Sequence, residues 1–251
     1  MDKTERARVA REWADRVSTS LAESIKHSID NSTVYVGFNL PDINLNKQYH
    51  TDTIVCDLSV EEAVKKYAYS SKACVLNFAS YKDAGGRFMD GLIAQEEALC
   101  HSSTLYPVLR NFNSEYFRRR GTLNGGLYNE DFIYTPDIAF IYDKENMSDI
   151  VDCDVLNYAA PCMIRKQKDE KYINTLTKRM VNAFLVPYLH DCDTVILGAW
   201  GCGVFSNDPA LIASIWKSLG DASYGLYKTV VHPVPIIKND KNYKAFYEVF
   251  N

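Results

Sequence analysis

The stretch VLNFASYKDAGGRFMDGLIAQEEALC, residues 75–100, decides the fold of this 251-residue chain. It begins within an almost wholly apolar run, residues 73–79, which is typical of a strand buried on both faces of a sheet. A loop with three glycines follows at 83–91, and a helix is predicted to begin near Ala94 and to be limited by Pro107. Strand, loop and helix in this order predict one unit of an α/β fold.

The same alternation of strands and helices extends on both sides of this stretch. We predict strands at 34–38, 53–56, 132–134, 138–142, 155–160, 194–199 and 229–232, and helices at 3–27, 59–69, 168–189 and from 209 onward. Two helix starts carry capping signals: Ser59 with Glu62, and Asp208 before Pro209. We therefore expect a mostly buried sheet between helices, in one domain over residues 1–251 whose first 30 residues form a helical extension.

The charge balance restricts the partners of the chain. There are 28 Lys and Arg against 32 Asp and Glu, giving a net charge of -4. Non-specific duplex binding normally needs clustered basic residues, so we expect no sequence-specific duplex nucleic acid as a partner. The run Arg118–Arg120 is interpreted as a solvated loop. The charged amino terminus and the absence of a long apolar run predict neither a signal peptide nor a membrane partner.

The seven cysteines predict a reduced, cytoplasmic protein. Their number is odd and no pair is spaced CxxC, unlike the disulfide framework of a small secreted domain. The five histidines do not fall at ligand spacing near any cysteine, so no metal site is predicted.

Two adjacent carboxylates follow the first glycine loop. Gly85 and Gly86 let the backbone approach a ligand and take positive φ, and Glu96 and Glu97 open the next helix. Successive helix residues project about 100° apart, so we expect at most one of these glutamates to face inward. Acidic residues are also common at solvated helix N-termini because of the helix dipole, and the residues alone leave both interpretations open.

A second glycine loop, residues 198–207, lies between a predicted strand and a capped helix. Its Gly201-Cys202-Gly203 segment is suited to holding a diphosphate on backbone N–H groups. The loop matches neither the P-loop nor the GxGxxG pattern, which disfavours nucleotide hydrolysis of the P-loop kind and dinucleotide binding. No histidine lies nearby in sequence to activate Cys202 as a nucleophile. A tight turn between strand and helix is the other interpretation of this segment.

The two loops together resemble those of the bacterial-type poly(ADP-ribose) glycohydrolases, a branch of the macrodomain superfamily. The family signature is three glycines, a spacer of six to eight residues and Gln-Glu-Glu. Here residues 85–87 (Gly-Gly-Arg) are followed by seven residues and then by residues 95–97 (Gln-Glu-Glu). The resemblance extends to LGAWGCGVFSNDP, to residues 132–143 and to residues 155–161, and so covers nearly the whole chain. It implies a three-layer α/β/α macrodomain-like fold with a central mixed sheet.

The resemblance also implies roles for individual residues. Glu97 would be the catalytic acid and Glu96 would hydrogen-bond ribose hydroxyls beside the scissile bond. Asp57 stands where many macrodomains contact adenine, and Ser80 where others contact the distal ribose. The full set of implied substrate-binding residues is Gln95, Gly85, Gly86, Arg87, Gly201, Cys202, Gly203, Val204, Phe205, Ser80 and Asp57.

The implied function is hydrolysis of the ribose linkage of poly(ADP-ribose), or of ADP-ribose attached to a macromolecule, by a monomer that needs no cofactor. Arg87 replaces the third glycine of the family signature. This substitution leaves open a hydrolase of mono-ADP-ribosylated protein or nucleic acid. A module that binds ADP-ribose without cleaving it is another alternative, which the presence of Glu97 disfavours.

Overall fold

The computed structural model describes residues 1–117, 124–164, 169–236 and 240–251. The strands in chain order are β1 (Thr33–Tyr35), β2 (Asp52–Cys56), β3 (Ala73–Phe78), β4 (Phe132–Asp143), β5 (Ser148–Tyr158), β6 (Thr194–Ile196) and β7 (Thr229–Pro233). The α-helices are α1 (Lys3–Ser20), α2 (Ala22–Asn31), α3 (Val60–Ala68), α4 (Gln95–Ser102), α5 (Leu105–Asn111), α6 (Glu170–Leu189), α7 (Pro209–Ala222) and α8 (Lys241–Phe250).

The strands form one mixed sheet in the order β1-β4-β5-β3-β6-β7-β2. β4 pairs antiparallel with both β1 and β5, whereas β5, β3, β6, β7 and β2 run parallel to one another. The carboxyl ends of the parallel strands therefore lie at one edge of the sheet, where both glycine loops begin.

Helices cover both faces of this sheet. Successive residues of a strand point to opposite faces, and in β3 Val75 packs into one core while Cys74 and Leu76 pack into the other. Helices α1 to α5 contribute to the core around Val75, and α6 to α8 contribute to the opposite one. The expected three-layer α/β/α fold with a central mixed sheet is confirmed.

The N-terminal segment differs from the single helix predicted over residues 3–27. It forms α1 and α2, which are separated at Leu21. The hydroxyls of Ser18 and Thr19 donate to the carbonyls of Ala14 and Asp15, four residues earlier. Such bonds compete with regular helical hydrogen bonding and weaken a helix end.

Other elements also differ from the sequence predictions: β4 joins the strands predicted at 132–134 and 138–142, and β5 begins at Ser148 and not at 155. Pro107 does not end a helix: it lies in the first turn of α5, where its missing N–H has no intrahelical acceptor to lose. The first predicted strand is shorter than 34–38, and α8 was not predicted. Arg118–Arg120 lie outside the described residues.

Neither a membrane span nor a metal cluster is found in the described ranges. No helix there combines the length and apolarity needed to cross a bilayer, and no group of three or more His, Cys, Asp or Glu side chains is placed to hold a metal ion.

Candidate active site

The two glycine loops meet at the carboxyl end of the sheet. The second loop and residues 93–95, which follow the first loop, line a cleft of about 640 Å³ beyond the ends of β3, β6 and β7. The strand-end and loop residues that line it include Phe78, Ala94, Gln95, Gly201, Gly203, Val204, Phe205 and Pro233. Ligands of open α/β sheets bind at this position.

Glu96 is held from both sides at the end of β3. Its Oε1 accepts from Asn77 Nδ2 at 3.2 Å, and its Oε2 accepts from the backbone N–H of Ser80 at 2.7 Å. The residue is 3% exposed. Burial raises the pKa of Glu96 to about 8, although these two hydrogen bonds favour its ionised form; the neighbouring Glu97 raises the pKa further.

Glu97 faces the first glycine loop. Its Oε1 accepts from the backbone N–H of Arg87 at 2.9 Å, and the residue is 6% exposed. A Cβ on Gly86 would lie 2.6 Å from this oxygen and 2.9 Å from Oε2 of Glu96, so the loop approaches both carboxylates as only glycine allows. The expectation that at most one glutamate faces inward is wrong, because the loop wraps around the first turn of α4 and covers both.

The side chain of Gln95 hydrogen-bonds to the backbone at the carboxyl end of β3. Its Oε1 accepts from the N–H of Phe78 at 2.8 Å, and its Nε2 donates to the carbonyl of Leu76 at 2.9 Å. These two hydrogen bonds fix the start of α4 at the end of β3. They therefore also fix the positions of Glu96 and Glu97, which follow Gln95 in α4.

Asn77 was not among the predicted site residues. It lies opposite Asn157 in the parallel register of β3 and β5, and its Nδ2 donates to both Asn157 Oδ1 at 2.6 Å and Glu96 Oε1. Both asparagines are fully buried. A lone asparagine within an apolar run gives no sequence signal for this role, because the pairing depends on the order of strands in the sheet.

The N-terminal helix braces the first glycine loop. Arg6 Nε donates to the carbonyl of Gly91 at 2.8 Å, and Trp13 Nε1 donates to that of Cys100 at 3.0 Å. A Cβ on Gly91, which has φ +73°, would lie 2.7 Å from the backbone nitrogen of Ala7. α1 therefore packs directly against the chain that carries Glu97.

The second loop exposes backbone donors to the cleft. Within the described residues, the N–H groups of Gly203, Val204 and Phe205 have no protein acceptor. Asn207, which was also not among the predicted site residues, stabilises this loop. Its Nδ2 donates to the carbonyls of Pro161 and Gly201 at 2.9 and 3.1 Å. Such a loop suits an anionic ligand.

Phe205 rests on an aromatic stack. Its ring centroid lies 6.1 Å from that of Tyr128, which stacks on Tyr81 at 4.2 Å. Tyr128 has φ +62°, a conformation that bulky residues rarely adopt and that the surrounding packing must enforce.

The remaining predicted residues are not among those that line the cleft. Gly85 has φ +69° and packs against Tyr106 and Cys100. Ser80 caps the following turn, its Oγ accepting from the N–H groups of Lys82 and Asp83. Asp57 Oδ1 accepts from the N–H of Ile236 at 2.6 Å, so this carboxylate holds the chain after β7. Cys202 is half-buried, its Sγ 3.8 Å from the carbonyl of Trp200, and Arg87 points outward to Asp90.

Fold and site together define a macrodomain-like α/β enzyme with two buried glutamates beside a glycine-lined cleft. The family model "Microbial-type PARG, catalytic domain" matches residues 5–143, more than half of the chain. The chain therefore belongs to the microbial-type poly(ADP-ribose) glycohydrolase (PARG) family and is a glycohydrolase.

Solved structures share the fold over nearly the whole chain. The poly(ADP-ribose) glycohydrolase of Thermomonospora curvata matches with a TM-score of 0.87 and 23% identity, covering 99% of this chain and 100% of that one. Its complex with the inhibitor ADP-HPD has a TM-score of 0.83 at 24% identity, with the same coverage. The enzyme from Deinococcus radiodurans in complex with ADP-ribose has a TM-score of 0.79 at 24% identity, covering 90% and 97%. No curated protein sequence matches significantly.

Proposed function

We propose that this chain releases ADP-ribose by hydrolysing the O-glycosidic ribose linkage of poly(ADP-ribose), or of ADP-ribose attached to a macromolecule, with Glu97 as general acid and base. The observation that carries this proposal is the position of the Glu97 carboxylate. It is buried next to the residues that line the cleft, and within the described part of the chain its Oε1 alone is bound, to the N–H of Arg87.

The two glutamates differ in what their oxygens already do. Both oxygens of Glu96 accept hydrogen bonds from the protein, whereas Oε2 of Glu97 has no partner within the described residues. A general acid needs an oxygen that is free to approach the reacting group, and we assign this role to Oε2 of Glu97 because the protein does not occupy it. Glu96 is the better candidate for holding ribose hydroxyls in place.

The reaction has two proton transfers. Glu97 first protonates the 2′ oxygen of the leaving ribose while the bond from this oxygen to C1″ of the bound unit breaks, through an oxocarbenium-like state. The resulting carboxylate then takes a proton from the water that attacks C1″. The products are ADP-ribose and a polymer one unit shorter.

The remaining site residues are assigned to binding the terminal unit. The N–H groups of Gly203, Val204 and Phe205 would hold the diphosphate, which explains how a chain of net charge -4 accepts an anionic ligand. Phe205, supported by Tyr128, would pack on a ribose. Gly85 and Gly86 would close the opposite side. Asp57 and Ser80, whose side-chain oxygens accept from backbone N–H groups, would complete the ligand contacts.

In the test, the wild-type protein is incubated with poly(ADP-ribose) and, separately, with mono-ADP-ribosylated protein, and the release of ADP-ribose is measured. Release from the polymer supports the proposal, and release from the modified protein alone supports the mono-ADP-ribosyl hydrolase. If the wild-type protein binds ADP-ribose but releases none from either substrate, the chain is a module that binds ADP-ribose without cleaving it, and the proposed reaction is wrong. Glu97→Gln is tested in the same assay. Its control is Glu12→Gln, which replaces an exposed glutamate on α1.

Three further predictions accompany the proposed function. We expect one catalytic domain over residues 1–251, and a monomer, which sedimentation checks. We also expect a cytoplasmic location, which the reduced-cysteine pattern of the sequence supports and fractionation of the host cell checks.

A further inference from the structure

Arg87 lies beside the proposed acid but outside the cleft. Its backbone N–H donates to Glu97 Oε1 at 2.9 Å, which fixes its Cα next to the carboxylate. Its side chain is 57% exposed, and it does not line the cleft that would hold the terminal ADP-ribose unit. The terminal ADP-ribose unit is assigned to the cleft, so the outward side of Glu97, where Arg87 lies, is the side on which the leaving group of the proposed reaction would stand.

The guanidinium of Arg87 is held in one direction. Its Nε donates to Asp90 Oδ2 at 2.8 Å, and its two terminal nitrogens have no acceptor within the described residues. A guanidinium presents these nitrogens as a fork that matches two phosphate oxygens. Because Asp90 already orders the side chain, less conformational entropy is lost when an anion binds.

Two more guanidinium groups lie on the same loop. Arg6 Nε donates to the carbonyl of Gly91 at 2.8 Å, and Arg11 Nη2 to that of Met89 at 3.3 Å. Three arginines thus contact the segment 87–91, in which Asp90 is the ion-pair partner of Arg87.

We infer that Arg87 is the leaving-side specificity residue, which binds the diphosphate of the next ADP-ribose unit in a polymeric substrate. This inference rests on the proposed function and narrows its substrate class. In the polymer the leaving oxygen is the 2′ oxygen of an adenosine, and the 5′ phosphate of that adenosine lies one ribose away, a separation that an arginine side chain spans. A mono-ADP-ribosylated amino acid carries no phosphate on its leaving side, so Arg87 has nothing to bind there.

The test measures binding on a Glu97→Gln background, in which a bound polymer is not consumed. The probes are a short, fluorescently labelled poly(ADP-ribose) oligomer, which occupies both sides of Glu97, and ADP-ribose, which occupies the cleft alone. Arg87→Ala should weaken oligomer binding about tenfold, the scale of a charge-assisted hydrogen bond, and leave ADP-ribose affinity unchanged. The salt dependence of oligomer binding should become shallower.

Arg8→Ala is the matched control, because Arg8 is also exposed and ion-paired but, among the described residues, bonds only to Glu5 and Glu12 of its own helix. Arg87→Gln, which keeps most of the side-chain length, replaces Arg87→Ala if the latter does not fold. Equal weakening of both probes would show a structural role at the Glu97 loop and overturn the inference. No weakening of the oligomer, or tighter binding, would overturn it as well. Absence of ADP-ribose release by wild type would refute the proposed function separately, because the binding comparison does not depend on turnover.

Discussion

Gly86→Ala tests whether the first glycine loop positions the two glutamates. Gly86 has φ +61°, and an added Cβ would lie 2.6 Å from Glu97 Oε1 and 2.9 Å from Glu96 Oε2. Carbon and oxygen atoms normally approach no closer than about 3.3 Å, so the Glu97 oxygen must move by roughly 0.7 Å or the loop must withdraw. In either case the hydrogen bond from the Arg87 N–H to Glu97 is disturbed.

The expected loss has two parts that separate experimentally. A residue with a Cβ in the left-handed region costs about 1–2 kcal/mol, which lowers the melting temperature by roughly 2–8 °C for a chain of this size. Displacement of a catalytic group by a sizeable fraction of an ångström costs on the order of 10²-fold in rate. We therefore expect kcat/KM for release of ADP-ribose to fall roughly 10²-fold at a temperature where the variant remains folded.

Gly125→Ala is the matched control. Gly125 has φ +60°, but an added Cβ would meet no atom within 4 Å. This variant carries the backbone strain without the clash, so it should lose the same stability and keep its activity. If Gly86→Ala retains activity within about threefold of Gly125→Ala, the loop does not position the carboxylates and the reasoning fails.

Three further substitutions test other parts of the site. Burial raises the pKa of Glu96 from 4.5 to about 8, so its contribution to stability is fully present below the unfolded value and is lost as the pH rises through the folded one. Because the side chain of Glu96→Gln is always neutral, the melting temperature of this variant should rise relative to that of wild type as the pH increases from about 5 to about 9. If calorimetry gives a difference in melting temperature that does not change with pH, the burial of a neutral Glu96 carboxyl is contradicted. Gly91→Ala places a Cβ 2.7 Å from the backbone nitrogen of Ala7. It should lower both the melting temperature and kcat, because α1 packs against the first glycine loop. Unchanged kinetics would show that the contact with α1 does not affect the positions of the catalytic residues. Asn207→Ala removes the donor to Gly201 and should weaken ADP-ribose binding about tenfold by titration calorimetry, and equal affinity would mean that the second loop does not depend on this support.

The features that the sequence predicts correctly are those encoded by neighbouring residues. The capping box forms as expected, with the N–H of Ser59 donating to Glu62 Oε2 at 2.8 Å and that of Glu62 donating to Ser59 Oγ at 3.3 Å. Asp208 caps α7 through the N–H of Ala210. Such motifs need only a few consecutive residues, so tertiary structure does not have to be known to recognise them.

The features that the sequence does not predict depend on distant residues. Asn77 reaches Asn157 because β3 and β5 are neighbours in the sheet, and it reaches Glu96 because α4 packs on β3. The inward position of both glutamates follows from a loop that covers α4 on two sides, whereas helical periodicity alone considers one buried face. Likewise, the contact of Arg6 with Gly91 joins residues 85 positions apart.

The central claim is that Glu97 performs the acid and base steps of the hydrolysis. A single-turnover experiment with excess enzyme and poly(ADP-ribose), comparing wild type and Glu97→Gln with ADP-ribose affinity measured in parallel, tests it directly. We predict that the rate of ADP-ribose release falls by 10²-fold or more, on the order expected for loss of a general acid, while the variant still binds ADP-ribose. A Glu97→Gln rate within about threefold of wild type would contradict the assignment, because a glutamine cannot donate or accept the required proton.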